Sequence, residues 1–165
     1  MQILHVVERD HWVATSYSGG VVNLYDSVYT GRLTPSLEKQ MAEIYSPVVK
    51  DGMLPVTMVP FQQQVGGTDC GVFSIAAAYS AALGIEPHLV TFDADEIRRH
   101  LERCFENEKL TPFPPTKMPV QKCRGKHVFI HVYCVCGLPE SYDTQMIECE
   151  QCQKWFHFKC MKLVT

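Results

Sequence analysis

Gln64-Val65-Gly66-Gly67-Thr68-Asp69-Cys70-Gly71-Val72-Phe73 is the stretch from which the rest of the chain can be read. One cysteine stands between an acid and a glycine, just after a double glycine, and the apolar run Val72 to Ala78 follows at once. The alanine richness and spacing of that run predict a buried helix. Cys70 then falls at a helix N-terminus, where free N–H groups and the helix dipole favour thiolate over thiol. The glycines let backbone approach a substrate closely. Gln64, six residues upstream, offers an amide N–H₂ for a developing oxyanion, with Gln63 as the alternative. The same stretch also reads as a small apolar cysteine capping a core helix.

A nucleophile needs a base and a group that orients the base. Asp10-His11-Trp12-Val13 lies in a strand-like run, and Gly20 to Tyr25 forms a second that ends in Asp26-Ser27. Read as a hairpin turning at Ser18-Gly19-Gly20, the two runs bring His11 and Asp26 to the same end. The chain order is then His, Asp, Gln, Cys.

His11-Trp12, Tyr25-Asp26-Ser27 and Gln64 to Phe73 resemble, in that order, the catalytic motifs of the Ulp/SENP ubiquitin-like-protein proteases. The resemblance covers roughly residues 2 to 110. It implies an α+β fold with a papain-like cysteine protease core, here partial, made of a sheet plus helices. It also implies Cys70 as nucleophile, His11 as general base, Asp26 as the group orienting the imidazole and Gln64 in the oxyanion hole. Trp12 would line the narrow channel for a Gly-Gly tail. The family has a further helical portion ahead of this point. A catalytically idle constellation is the alternative that this leaves open.

The 165 residues are 46% hydrophobic and 20% charged, with a net charge of -3, which suits one or two globular units. No apolar run approaches a membrane span, and Met1-Gln2-Ile3 has no basic leader. No membrane partner is expected. Slight acidity gives no electrostatic case for direct nucleic-acid binding. Of eight cysteines, five fall in the last 32 residues at metal-ligand spacings, which fits a reducing compartment, nucleus or cytosol, better than a disulfide framework.

Ile3 to Val7, Trp12 to Tyr17 and Val21 to Tyr25 read as strands. Thr34-Pro35 opens a helix to Tyr45 whose inner face is Leu37, Met41, Ile44 and Tyr45. Leu54 to Val59 is the next strand. The nucleophile helix runs to Leu83 and ends at Gly84. Asp93 to Phe105 is amphipathic with Ile97, Leu101 and Phe105 inward, and Cys104, His88 and His100 read as structural or solvated. Thr111 to Pro119 is proline-rich and the following residues are basic. Residues 1–110 are therefore taken as the protease-like domain, 111–132 as a linker and 133–165 as a separate unit. Cys123, His127 and His131 lack a matching second pair and read as non-ligands.

In the last unit, Cys134-Val135-Cys136 is followed after twelve residues by Cys149-Glu150-Gln151-Cys152, then by Trp155-Phe156-His157-Phe158-Lys159-Cys160. Such thiolate and imidazole pairs suit tetrahedral structural zinc, and so short a unit needs the metal to fold. The segment resembles a PHD finger, over about its first two-thirds. The resemblance implies a first zinc on Cys134, Cys136, His157 and Cys160. It puts Cys149 and Cys152 on a second zinc whose last cysteine pair this chain lacks. One complete zinc site is expected, and no cofactor for catalysis. Tyr133, Tyr142, Met146 and Trp155 match aromatic-cage positions of histone-tail readers in that family, which hold methyl-lysine by cation–π attraction. Trp155 also reads as a packing aromatic.

Two functions follow as expectations. One is a thiol peptidase or isopeptidase acting on a ubiquitin-like, SUMO-type modifier or its conjugates, with the zinc finger targeting it to chromatin. The other is a catalytically idle fragment acting as a zinc-dependent histone-tail binding module.

Overall fold

A computed structural model describes residues 1–116, 122, 124–140 and 145–162. The chain is mixed α+β. Its first three strands, β1 (Gln2–Val6), β2 (His11–Ser18) and β3 (Val21–Tyr25), form an antiparallel meander. Gly19 and Gly20 turn β2 into β3 with φ of 59° and 84°, values that glycine adopts without the Cβ penalty. Helix α1 (Pro35–Ile44) then crosses over, and β4 (Met53–Met58) pairs parallel to β3, with Val22 opposite Val56. The α1 N-terminus is built as its sequence requires. Thr34 Oγ1 accepts from Leu37 N–H at 3.4 Å, and Pro35 occupies the first helical position, where no N–H is needed.

Alternation along the strands makes two cores. Val13 and Leu24 point to one face and pack with Leu37 and Met41 of α1, while Ala14 and Tyr25 point to the other and pack with Phe61 and Phe73. That second face is covered by α2 (Cys70–Ala82) and α3 (Ala94–Glu106). Helix α2 ends at a double reverse hydrogen bond, Ile85 N–H to Ser80 O at 2.9 Å and Gly84 N–H to Ala81 O at 3.1 Å, with Gly84 at φ 75°.

The structure departs from the sequence reading at three places. Ile44 is 38% exposed, because the buried face of α1 is centred on Met41, Ala42 and Tyr45 and Ile44 lies at its rim. In α3, Phe105 is 73% exposed and Cys104 is buried instead, near His100 Nε2 (3.5 Å) and Thr111 Oγ1 (3.7 Å). The inner stripe of α3 therefore runs through Ile97 and Cys104. The third departure concerns the expected linker over 111–132. Phe113 is buried against Tyr79 and His100, and β5 (Lys126–His131) is the fifth strand of the main sheet, antiparallel to β4. Sheet order is β1-β2-β3-β4-β5. Ile130 buries its side chain in the α1-side core, which ties this stretch to the sheet.

A two-stranded ribbon, β6 (Met146–Glu148) with β7 (Trp155–His157), follows. It abuts the sheet unit through Val132 and Tyr133. Val132 N–H donates to Gly52 O at 2.8 Å. A Cβ on Gly52 would sit 2.3 Å from the Tyr133 ring, so only glycine admits that ring here. Among the described residues no helix is long and apolar enough to cross a membrane.

Candidate functional site

Two constellations stand out, one on the sheet and one in the C-terminal ribbon. At the sheet end, Asp10 turns the chain in the left-handed region (φ 45°), and β2 begins at His11. Asp26 follows directly on β3. His11 Nε2 and Asp26 Oδ1 are 2.7 Å apart, with both residues buried. Asp26 has two further donors. Val28 N–H reaches Oδ1 at 2.8 Å, and Arg9 Nη2 donates to Oδ2 at 3.0 Å. Arg9 also donates to Val28 O at 2.8 Å, so it clamps the loop after β3 as well as the carboxylate. Sequence reasoning missed Arg9. A cation two residues before the histidine was the available signal, but nothing local ties it to an acid 17 residues away.

Cys70 is the first residue of α2 and is buried, and α2 packs on β2. The Trp12 indole lies beside the start of this helix, 4.0 Å from where a Cβ on Gly71 would be. Trp12 is 43% exposed and stacks at a tilt on His5, with ring centroids 4.8 Å apart. No hydrogen bond joins Cys70 Sγ to another described residue, His11 included. Gln64 is held at both ends of its amide. Its Oε1 accepts from Ser27 Oγ at 2.7 Å and its Nε2 donates to Gly66 O at 2.9 Å. The amide nitrogen expected to face an oxyanion thus braces the glycine loop. Gln63 is structural: its Nε2 donates to Asp26 O and Phe61 O, and its Oε1 accepts from Tyr29 N–H. Gly66 and Gly67 are exposed, and a Cβ on either would meet no described heavy atom within 4 Å.

In the ribbon, one ligand atom from each of Cys134, Cys136, His157 and Cys160 lies within 4.8 Å of the others. His157 shows how such a site is aimed. Its Nε2 lies 3.2 Å from Pro139 O, which can only accept, so Nε2 carries the proton. The bare Nδ1 then faces the cluster, 3.3 Å from Cys136 Sγ. Burial opposes charge on Cys134, but N–H groups of Cys136 and His157 aimed at its sulfur bring the thiol down to about 6. Hydrogen bonding to Cys134, then burial, pushes Cys160 up to about 11. A divalent cation bound here would displace the thiol protons. Three sulfurs and one imidazole nitrogen, one of them fixed by a backbone carbonyl, fit structural zinc.

Cys149 and Cys152 stand together at the ribbon turn, where N–H groups of Cys152 and Gln151 lower the Cys149 thiol. His127 and His131 join no such cluster among the described residues. His127 Nδ1 bonds Thr57 Oγ1 at 2.9 Å and His131 Nδ1 bonds Tyr133 OH at 3.2 Å. Cys123 lies outside the described residues.

Of the cage positions, Met146 and Trp155 line one pocket of about 450 Å³, and Trp155 is 41% exposed. Tyr133 lies outside that lining. It packs on Gly52 and His131 and carries the Lys154 ammonium 5.3 Å over its ring. Tyr142 lies outside the described residues.

Residues 123–165 match the PHD-finger family. Curated relatives match over short stretches. The chain is 53% identical over 57 residues to the Lid2 complex component lid2 of Schizosaccharomyces pombe, covering 34% of this chain and 3% of that protein. It is 50% identical over 32 residues to histone lysine demethylase PHF8 of Danio rerio, and 45% identical over 31 residues to Polycomb protein Pcl of Drosophila melanogaster. Each of these two covers 19% of this chain and 3% of the relative. No solved structure matches. The C-terminal unit is thus PHD-type, with a Cys/His cluster suited to zinc.

Proposed function

We propose that the chain is a zinc-dependent chromatin-binding protein whose C-terminal finger takes a histone tail in the nucleus. The observation that carries this reading is the four-ligand cluster of Cys134, Cys136, His157 and Cys160 beside a pocket lined by Trp155 and Met146. Zinc would be held by those four residues and supply rigidity. The ribbon then presents an aromatic face that attracts a cationic lysine head. The names of the matched relatives, which include a histone lysine demethylase and a Polycomb protein, favour the same reading. The test is binding of the zinc-loaded chain to histone-tail peptides by calorimetry, with Trp155→Ala and a chelated sample as controls. Binding lost in both controls supports the reading. Folded, zinc-loaded protein that binds no tail peptide ends it.

A second reading is favoured by a separate observation, the buried 2.7 Å His11–Asp26 contact on the strand over which α2 places Cys70. In this reading residues 1–110 are the catalytic unit of a cysteine peptidase acting on a ubiquitin-like, SUMO-type modifier, joined to the finger through 111–132. Cys70 gives its proton to His11 and attacks the carbonyl of the last glycine of a Gly-Gly tail. His11 passes that proton to the leaving amine, and water then hydrolyses the thioester to release the tail's carboxylate and restore the thiol. Asp26 orients the imidazole, Trp12 lines the channel, and Gln64 with backbone N–H groups steadies the oxyanion once its bond to Gly66 O is exchanged. Catalytic hydrogen bonds absent before substrate binding often form only with substrate in place. Labelling by SUMO-type and ubiquitin probes with a thiol-reactive C-terminal warhead, against Cys70→Ser, decides it. An adduct lost in the variant supports a peptidase, and its absence from folded protein retires the reading.

A further inference from the structure

The pocket that holds Met146 and Trp155 is not built by the finger alone. Its wall includes Phe129 and His131 from β5 and Glu38 from α1, and Glu140 closes the finger side. Its volume of about 450 Å³ falls within the range of roughly 300–1,000 Å³ common for small-ligand sites. Two of its lining aromatics are exposed, Phe129 at 58% and Trp155 at 41%. The two carboxylates, one from each unit, have no hydrogen bond or ion pair among the described residues. Burial, and then the charge of Glu140, raise the Glu38 carboxyl above its ordinary range. Glu38 is half-buried, Glu140 is exposed and both line the pocket, so its wall carries two negative charges that an entering cation would neutralise.

We infer that this shared pocket binds a lysine side chain that keeps an ammonium N–H, in its mono- or dimethylated form, with Trp155 and Met146 against the methyl groups and Glu38 with Glu140 accepting the N–H. The chemistry separates the methylation states. An aromatic face attracts any ammonium. A carboxylate adds a charge-assisted hydrogen bond only where an N–H remains, and such bonds are about twice as strong as neutral ones. A quaternary ammonium has none, and it would desolvate both carboxylates without satisfying them. An unmethylated ammonium gives the hydrogen bonds but leaves the Trp155 and Met146 wall without its methyl contacts. The sheet unit is therefore part of the reader, through Glu38, rather than a passive neighbour of the finger. This inference rests on the reading of the finger as a histone-tail binder.

The experiment uses the full zinc-loaded chain and histone-tail peptides carrying zero, one, two or three methyl groups at each tail lysine in turn. Binding is read by fluorescence anisotropy. Mono- or dimethylated peptide is expected to bind about tenfold more tightly than its trimethylated form, the worth of one charge-assisted hydrogen bond. Glu38→Gln, with Glu140→Gln as the second variant, should bring the mono-, di- and trimethylated peptides to within about twofold of one another, and Trp155→Ala should abolish binding. If Trp155→Ala abolishes binding but neither glutamine variant changes the ranking, the composite pocket is wrong and the finger reads alone. A trimethyl preference in the wild-type chain overturns the inference in the same way. If no peptide binds the folded wild-type chain, the histone reading itself fails.

Discussion

Asp26 gives the sharpest handle on the sheet-end constellation. Its carboxylate is 3% exposed and receives Arg9, His11 and the Val28 N–H at 2.7 to 3.0 Å. Asp26→Ala leaves the Arg9 guanidinium, whose side chain is only 20% exposed, without its counter-charge. It also orphans the Val28 N–H. Breaking one partner of a buried ion pair costs about 3–5 kcal/mol, and the orphaned amide belongs to the same network, so its cost is not added in full. For a chain of this size that lowers Tm by about 6–20 °C. Asp26→Asn keeps shape and one acceptor but not the charge, so about 1–3 kcal/mol is expected from the weakened charged hydrogen bonds. Urea denaturation of the zinc-loaded chain followed by circular dichroism measures both. The double variant Arg9→Met with Asp26→Ala should lose less than the sum of its singles, because the unpaired cation has gone. An Asp26→Ala chain within 1 kcal/mol of wild type would refute this account of the pair as a structural clamp.

The remaining predictions are simpler. Chelating zinc should abolish amide protection at residues 145–162 while β1 to β5 stay protected in hydrogen exchange, because the ribbon buries little besides its ligands and structural zinc supplies about 10–16 kcal/mol of coupled folding. Protection that survives in the metal-free ribbon would contradict this. Phe61→Ala, which removes a ring 1% exposed between Tyr25 and Phe73, should cost about 3–5 kcal/mol. Phe105→Ala, on the open side of α3, should change stability by less than about 0.5 kcal/mol in the same melts. Burial works against ionisation of Glu8, yet the hydroxyl and N–H of Ser36 at the start of α1 pull its carboxyl from 4.5 down to about 2. The folded value is the lower one, so its stabilisation is whole above pH 4.5 and fades as pH falls towards 2. Glu8→Gln should flatten that part of the stability profile by lowering stability at neutral pH while leaving it little changed near pH 2.

How much could be read from sequence follows from the range of each interaction. Local signals transferred well. Thr34-Pro35 starts α1, Gly84 ends α2, Gly19-Gly20 turns the hairpin, and the spacing of Cys134, Cys136, His157 and Cys160 anticipates their meeting. Each is a choice of backbone conformation or ligand chemistry settled within a few residues, or by a pattern that only one partner type satisfies. Strand β5 was missed because its own six residues carry almost no alternation to read. Lys126, His127, Phe129 and His131 are exposed, and only Ile130 is buried. What fixes it is the β4 edge some 70 residues earlier, where Thr57 meets His127 and Leu54 meets Ile130. Helix rims failed for a related reason. Ile44 and Phe105 are apolar, and pattern alone sets them on the inner face, but the neighbours that define that face come from other elements. The same limit hid the two charged residues on which the sites now turn. Arg9 is tied to Asp26, and Glu38 to Glu140, only by folding, so neither could be given a role before the fold was in hand. If Glu38 reads lysine methylation, the recognition code of the finger is written partly in a helix a hundred residues upstream, and a finger excised at residue 133 should bind tails with its methyl preference lost.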